Sequence, residues 1–73
     1  MPRLPVVSGA VAARAFPRAG FAAVRQTGSH LIMMKPGHDV TLSVPLHDEI
    51  KRGTLRRLIA DAGLTVDEFC SHL

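Results

Sequence analysis

Between Phe21 and Pro45 lie three extended segments, Phe21 to Gln26, Ser29 to Lys35 and Val40 to Pro45, separated only by Thr27-Gly28 and by Pro36-Gly37-His38-Asp39. Connections this short can reverse a strand but cannot carry it to a parallel neighbour, which takes about a dozen residues or more. The segments therefore pair as a three-stranded antiparallel meander. A two-residue turn at Thr27-Gly28 sets Gln26 opposite Ser29, Arg25 opposite His30 and Val24 opposite Leu31. In the second hairpin Met33 falls opposite Leu42, Leu31 opposite Val44, Ile32 opposite Ser43 and Met34 opposite Thr41. This register sorts the side chains by chemistry. Val24, Leu31, Met33, Leu42 and Val44 form an apolar face, while Arg25, His30, Ile32, Met34, Thr41 and Ser43 form a mixed one. A slip of one residue would exchange the two faces.

Helical patterns flank the meander. Met1 to Val7 is Pro-punctuated and extended in character, and Ser8 is placed to cap a helix from about Gly9 to Ala19, with Val11, Ala15 and Ala19 at helical spacing. Pro17 removes a backbone donor in the last turn and kinks it, and Gly20 ends it. After a polar loop from Leu46 to Gly53, Thr54 is expected to cap a helix with apolar positions Leu55, Leu58, Ile59 and Ala62, stopped by Gly63. Thr65-Val66-Asp67-Glu68 has the capping-box arrangement, which starts a short helix with Val66, Phe69 and Leu73 on one side. The order implies an α+β two-layer sandwich, a three-stranded antiparallel sheet with helices on one face. With 73 residues the chain is expected to form one domain over 1–73.

Composition narrows the function. Hydrophobic content of 47% with 21% charged residues is globular, and no apolar run approaches the ~18 residues of a membrane span, so no membrane partner is expected. Phe16, Phe21 and Phe69 are the only aromatics, too few for a base-stacking platform. Cys70 alone cannot form an intrachain disulfide, and no Cys and His set has zinc spacing. Pro2 and Pro5 interrupt the only early apolar stretch, so no signal peptide is expected and the cytoplasm is the expected compartment. A net charge of +3 makes a polyanion a reasonable partner.

His30 is the first catalytic candidate, because an imidazole gives and takes a proton near neutral pH. Its position alone fits an ordinary surface histidine; Arg25 across the strand pair would add a cation suited to a phosphate. Lys51, Arg52, Arg56 and Arg57 surround the start of the helix expected at Thr54, where free backbone N–H groups and Gly53 favour an anion. The competing reading there is a solvated helix end with Arg57 paired to Asp61. His47 before Asp48 and Glu49 is either a second acid or base or part of a polar loop. Ile32 and Met34 on the mixed face suggest a surface that a partner protein covers, unless the register is off by one and they are core. Phe69 and Cys70 are assigned to packing.

The ordered set Leu4-Pro5-Val6-Val7-Ser8-Gly9, Ala19-Gly20-Phe21, Arg25-Gln26-Thr27-Gly28-Ser29-His30, Val44-Pro45-Leu46-His47, Lys51-Arg52-Gly53-Thr54-Leu55-Arg56, Ala62-Gly63-Leu64 and Glu68-Phe69 resembles a HicA toxin over nearly the whole chain. The resemblance implies a fold like that of double-stranded-RNA-binding domains and the toxin role in a type II toxin-antitoxin system. It further implies an mRNA interferase whose Gly-Ser-His histidine, here His30, is catalytic, and a HicB antitoxin that occludes the site in a hetero-oligomer. Pro17 departs from the family pattern, which favours a helix former before Ala-Gly-Phe.

The sequence lacks a carboxylate cluster to hold two divalent ions, and RNA brings its own nucleophile in the 2′-OH, so the expected cleavage needs neither metal nor cofactor. His30 is then the general base and His47 the candidate acid, with Gly28 and Ser29 completing the motif. Arg25, or the helix start with Lys51, Arg52, Thr54 and Arg56, holds the phosphate. The rival reading is a non-catalytic RNA-binding module gripping duplex RNA with Lys51, Arg52 and Arg56. A third, a purely protein-binding domain, leans on Ile32 and Met34.

Overall fold

The computed structural model describes residues 3–73; Met1 and Pro2, within the segment expected to be extended, lie outside them. The elements run α1 (Gly9–Ala15), a 3-10 helix (Phe16–Ala19), β1 (Ala22–Thr27), β2 (His30–Met34), β3 (Leu42–Pro45), α2 (Arg52–Asp61) and α3 (Val66–Ser71). The strands form one antiparallel sheet in the order β1-β2-β3, so the expected α+β meander is present.

Ser8 caps α1 as expected, its Oγ accepting from the Val11 N–H at 3.1 Å. Pro17 does not kink the α-helix so much as end it. Lacking an N–H, it sits near the start of the 3-10 helix, where no intrahelical donor is needed, and Gly20 closes the turn at φ 101°. The buried stripe is Ala12, Ala15 and Phe16; Val11 and Ala19 are only half-buried.

The first hairpin departs from the expected register. Thr27 pairs with His30, Gln26 with Leu31 and Arg25 with Ile32, so the turn is Gly28-Ser29. The reason is steric. Gly28 at φ 58° takes the first central position, whereas a Thr27-Gly28 turn would force a β-branched residue to positive φ. A bulge then falls between Ala23 and Arg25, restoring Ala23 opposite Met33 and leaving Val24 53% exposed rather than on the covered face. The second hairpin pairs Met33 with Leu42, Leu31 with Val44 and Ile32 with Ser43, as expected, and also His30 with Pro45. Its ladder stops there, so Met34 and Thr41 are not paired. Since Met33, Leu42 and Val44 are buried while Arg25, His30, Thr41 and Ser43 are exposed, the faces are not exchanged.

Thr54 is not the cap of α2. The helix starts two residues earlier, with Lys51 at the cap position and no side chain bonded to the first turn. Leu55, Leu58, Ile59 and Ala62 are buried as the spacing requires, and Gly63 turns the chain at φ 75°. The capping box at α3 is complete, with Glu68 Oε1 accepting from the Thr65 N–H at 2.8 Å and Thr65 Oγ1 from the Glu68 N–H at 3.1 Å.

Phe16 meets Phe69 at a ring-centroid distance of 5.1 Å and Phe21 at 6.1 Å, joining the 3-10 helix, α3 and the entry to the sheet. Phe69 is buried on α3, but Leu73 is exposed. Leu4, Val7 and Ile50 also enter the core, and the Ile50 N–H donates to the Val7 carbonyl at 2.9 Å. The loop after β3 is therefore polar only in part. Among the described residues no buried polar side chain lacks a partner, and no helix is long and apolar enough to cross a membrane.

Candidate active site

His30 stands at the start of β2, held between Thr27 of β1 and Pro45 of β3. One residue beyond β3 the Leu46 N–H donates to the Ser29 carbonyl at 2.6 Å, drawing the segment after β3 against the Gly28-Ser29 turn. The next residue, His47, has its carbonyl fixed by the Gly9 N–H at 2.8 Å. Two residues 17 apart in sequence thus face each other across a short gap: the His30 and His47 rings lie 6.3 Å apart between centroids at 67°, edge towards face.

Both imidazoles line a hollow of about 290 Å³ with Ser43, Pro45, Lys51 and Thr54. Lys51 brings a cation to the histidine pair, and the uncapped first turn of α2 leaves backbone N–H groups free beside it. All four polar side chains named here other than Ser43 sit in positions singled out from sequence. The others separate from them. Arg25 stands on β1 opposite Ile32, two pairs removed from His30, and does not line the hollow. Arg52 and Arg56 lie on α2 outside the lining. Gly28 and Ser29 act through backbone, one by its turn conformation and the other by its carbonyl.

Three contributors escaped the sequence reading. Ser43 was placed on the right face but given no role, although its position across from Ile32 was a usable signal. Pro45 reads in the sequence only as the end of a strand, yet it lines the hollow. Gly9 was read as an ordinary helix start, and nothing in its spacing marks it. A Cβ at Gly9 would meet the Pro45 carbonyl and lie 2.6 Å from the Leu46 Cα, so the backbone that carries His47 can approach only a glycine.

Ile32 is half-buried on the open face and Met34 is 47% exposed. Val24, turned outward by the bulge, lines a shallow apolar hollow of about 400 Å³ with Met34, Lys35 and His38. Among the described residues no group of three or more His, Cys, Asp or Glu side chains converges to hold a metal ion. Cys70 is a half-buried free thiol. The Arg57 and Asp61 side chains are paired at 3.7 Å, one turn apart on α2.

The model of the family described as HicA toxin of bacterial toxin-antitoxin matches residues 12–64. That span runs from within α1 through the whole sheet and α2 to just beyond Gly63, well over half of the chain. A comparison with curated proteins found no match. The chain belongs to the HicA toxin family, and so is the toxin member of a bacterial toxin-antitoxin pair. Membership implies an antitoxin partner.

Proposed function

We propose that this toxin is an endoribonuclease that cuts mRNA by activating the RNA's own 2′-OH, with residues 1–73 acting as one toxin domain in the cytoplasm. The observation that carries the reading is the pair of imidazoles 6.3 Å apart in one hollow beside Lys51. Attack on a phosphodiester needs a base on one side of phosphorus and an acid on the other, and two histidines separated by about the width of a phosphate group can fill both roles.

In the proposed step His30 takes the proton of the 2′-OH as the 2′-oxygen bonds to phosphorus. The bond from phosphorus to the 5′-oxygen breaks, and His47 protonates that leaving oxygen. Products are a 2′,3′-cyclic phosphate and a 5′-OH. Lys51 and the free N–H groups at the start of α2 stabilise the charge gathered on the non-bridging oxygens. The register favours Lys51 over Arg25 for this work, because Arg25 lies opposite Ile32. Thr54, which lines the hollow, adds a hydroxyl to the phosphate, and Arg52 and Arg56 on α2 then follow the RNA backbone. No divalent ion takes part in the proposed step.

A HicB-like antitoxin is proposed to form a hetero-oligomer with the toxin by covering Ile32 and Met34, close enough to His30 to shut the hollow. Val24 joins that stripe by its exposure. The competing reading is an RNA-binding module of the same fold that does no chemistry; the exposed cations on α2 favour it as much as they favour a nuclease.

A long RNA incubated with the full chain in excess EDTA separates the two. Wild type should cut, and His30→Ala should lose cleavage by about a hundredfold or more while keeping its RNA affinity within a few fold. Equal binding by both proteins with intact RNA would leave the module reading in place of the enzyme.

A further inference from the structure

The hollow around His30 and His47 does not end at Thr54. A second one, of about 370 Å³, continues from it along the seam between β3 and α2, sharing Ser43 and Thr54. Its walls carry Thr41, Arg57 and Asp61, with Leu58 among its lining. The two parts differ in charge. Lys51 and two imidazoles line the first, whereas the second holds one guanidinium and one carboxylate, whose formal charges cancel. A phosphodiester is drawn to the first and repelled by the carboxylate in the second. The second suits a neutral, flat group that gives and takes hydrogen bonds against an apolar surface, which describes a nucleobase.

The two charged side chains have bonding capacity to spare. Arg57 Nε stands 3.7 Å from Asp61 Oδ2, beyond hydrogen-bond reach, and the side chains are 83% and 36% exposed. Asp61 is nevertheless well placed, because its backbone carbonyl accepts from His38 Nε2 at 2.7 Å near the end of α2. The carboxylate therefore projects from an anchored backbone.

We infer that this second hollow is a base subsite for the nucleotide beside the scissile phosphate, and that Asp61 selects guanine there. The inference rests on the nuclease reading for the position of the phosphate. Guanine alone offers two adjacent donors, N1–H and the N2 amino group, to match the two oxygens of a carboxylate. Adenine and cytosine each set one amino donor beside a ring-nitrogen acceptor, and uracil flanks its one donor with two carbonyls. Arg57 and the Thr41 and Ser43 hydroxyls remain for the guanine O6 and the sugar.

The test uses the full chain in two ways. Cut sites are mapped on an RNA of randomised sequence with wild type, Asp61→Asn and Thr41→Val. In parallel, His30→Ala is titrated with short oligouridines carrying a single internal guanine, adenine or cytosine, following backbone amide shifts by NMR. The expected result is guanine enriched about fivefold or more at one fixed position from the cut, with the enrichment lost in Asp61→Asn. The guanine oligonucleotide should also bind about fivefold or more tighter than the others and shift the Thr41 and Asp61 amides. Equal base frequencies, or a guanine preference that survives Asp61→Asn, would overturn the subsite. If wild type leaves RNA intact but the guanine oligonucleotide binds at Asp61, the nuclease reading falls and the subsite stands. Cutting without base preference in either experiment gives the reverse.

Discussion

Gly9 begins α1 with its N–H on the His47 carbonyl, in a place where the Pro45 carbonyl and Leu46 Cα leave no room for a side chain. Gly9→Ala would normally favour a helix, but here the added methyl must push away the segment that carries His47. Thermal or urea unfolding should show a loss of about 1–3 kcal/mol, the usual range for an overpacked site. RNA cleavage should fall further than that loss of folded protein explains, since the His30 to His47 separation changes; full retention of activity in folded Gly9→Ala would show that His47 need not be held there. The sequence offers His30 as a candidate because an imidazole can move a proton near neutral pH, and His47 as its candidate acid. The short gap between the two rings is not readable there, because it depends on the contacts from Ser29 to Leu46 and from Gly9 to His47, which bring distant segments together.

At the scale of elements, α3 depends on its capping box more than its length would suggest, since six residues make too short a helix to persist alone. The Thr65 backbone N–H, and after it the Thr65 hydroxyl, hold the Glu68 carboxyl below its ordinary value of 4.5. A carboxyl lowered in the folded state stabilises above its unfolded range, and that contribution fades as pH falls through the lower folded value. Helical circular dichroism should therefore decline in wild type as pH falls below the ordinary carboxyl range, and this step should be absent in Glu68→Gln. A decline of the same size in Glu68→Gln would place the acid sensitivity elsewhere. The capping box was readable because its residues are three apart in one segment. The start of α2 was misread because Thr54 is a good cap by type, yet the chain turns helical at Arg52 without one. The second hairpin was readable from its alternation of apolar and polar residues, while the first hid a bulge at Val24 that alternation alone does not reveal.

For the whole molecule, one small core joins both terminal segments to the sheet. Phe16 and Phe69 are fully buried and in contact, and they tie the 3-10 helix after α1 to α3 near the other end of the chain. Phe69→Ala would remove about 3–5 kcal/mol, comparable to all that a core of this size supplies. The variant alone should be largely unfolded at 25 °C by near-ultraviolet and amide NMR signals; a well-dispersed native spectrum would mean that α3 is dispensable. Leu4, Val7 and Ile50 belong to the same core although their local sequence is Pro-rich or polar, and only the completed fold shows what they cover.

In the proposed reaction His30 and His47 together drive attack by the RNA's own 2′-OH. The most direct measurement is the chemistry of the ends left when the full chain cuts RNA in excess EDTA, read by mass spectrometry of the fragments. A 2′,3′-cyclic phosphate with a 5′-OH is expected, reduced together in His30→Ala and His47→Ala. A 3′-OH with a 5′-phosphate would contradict it, because those ends require water, and not the 2′-OH, as the nucleophile.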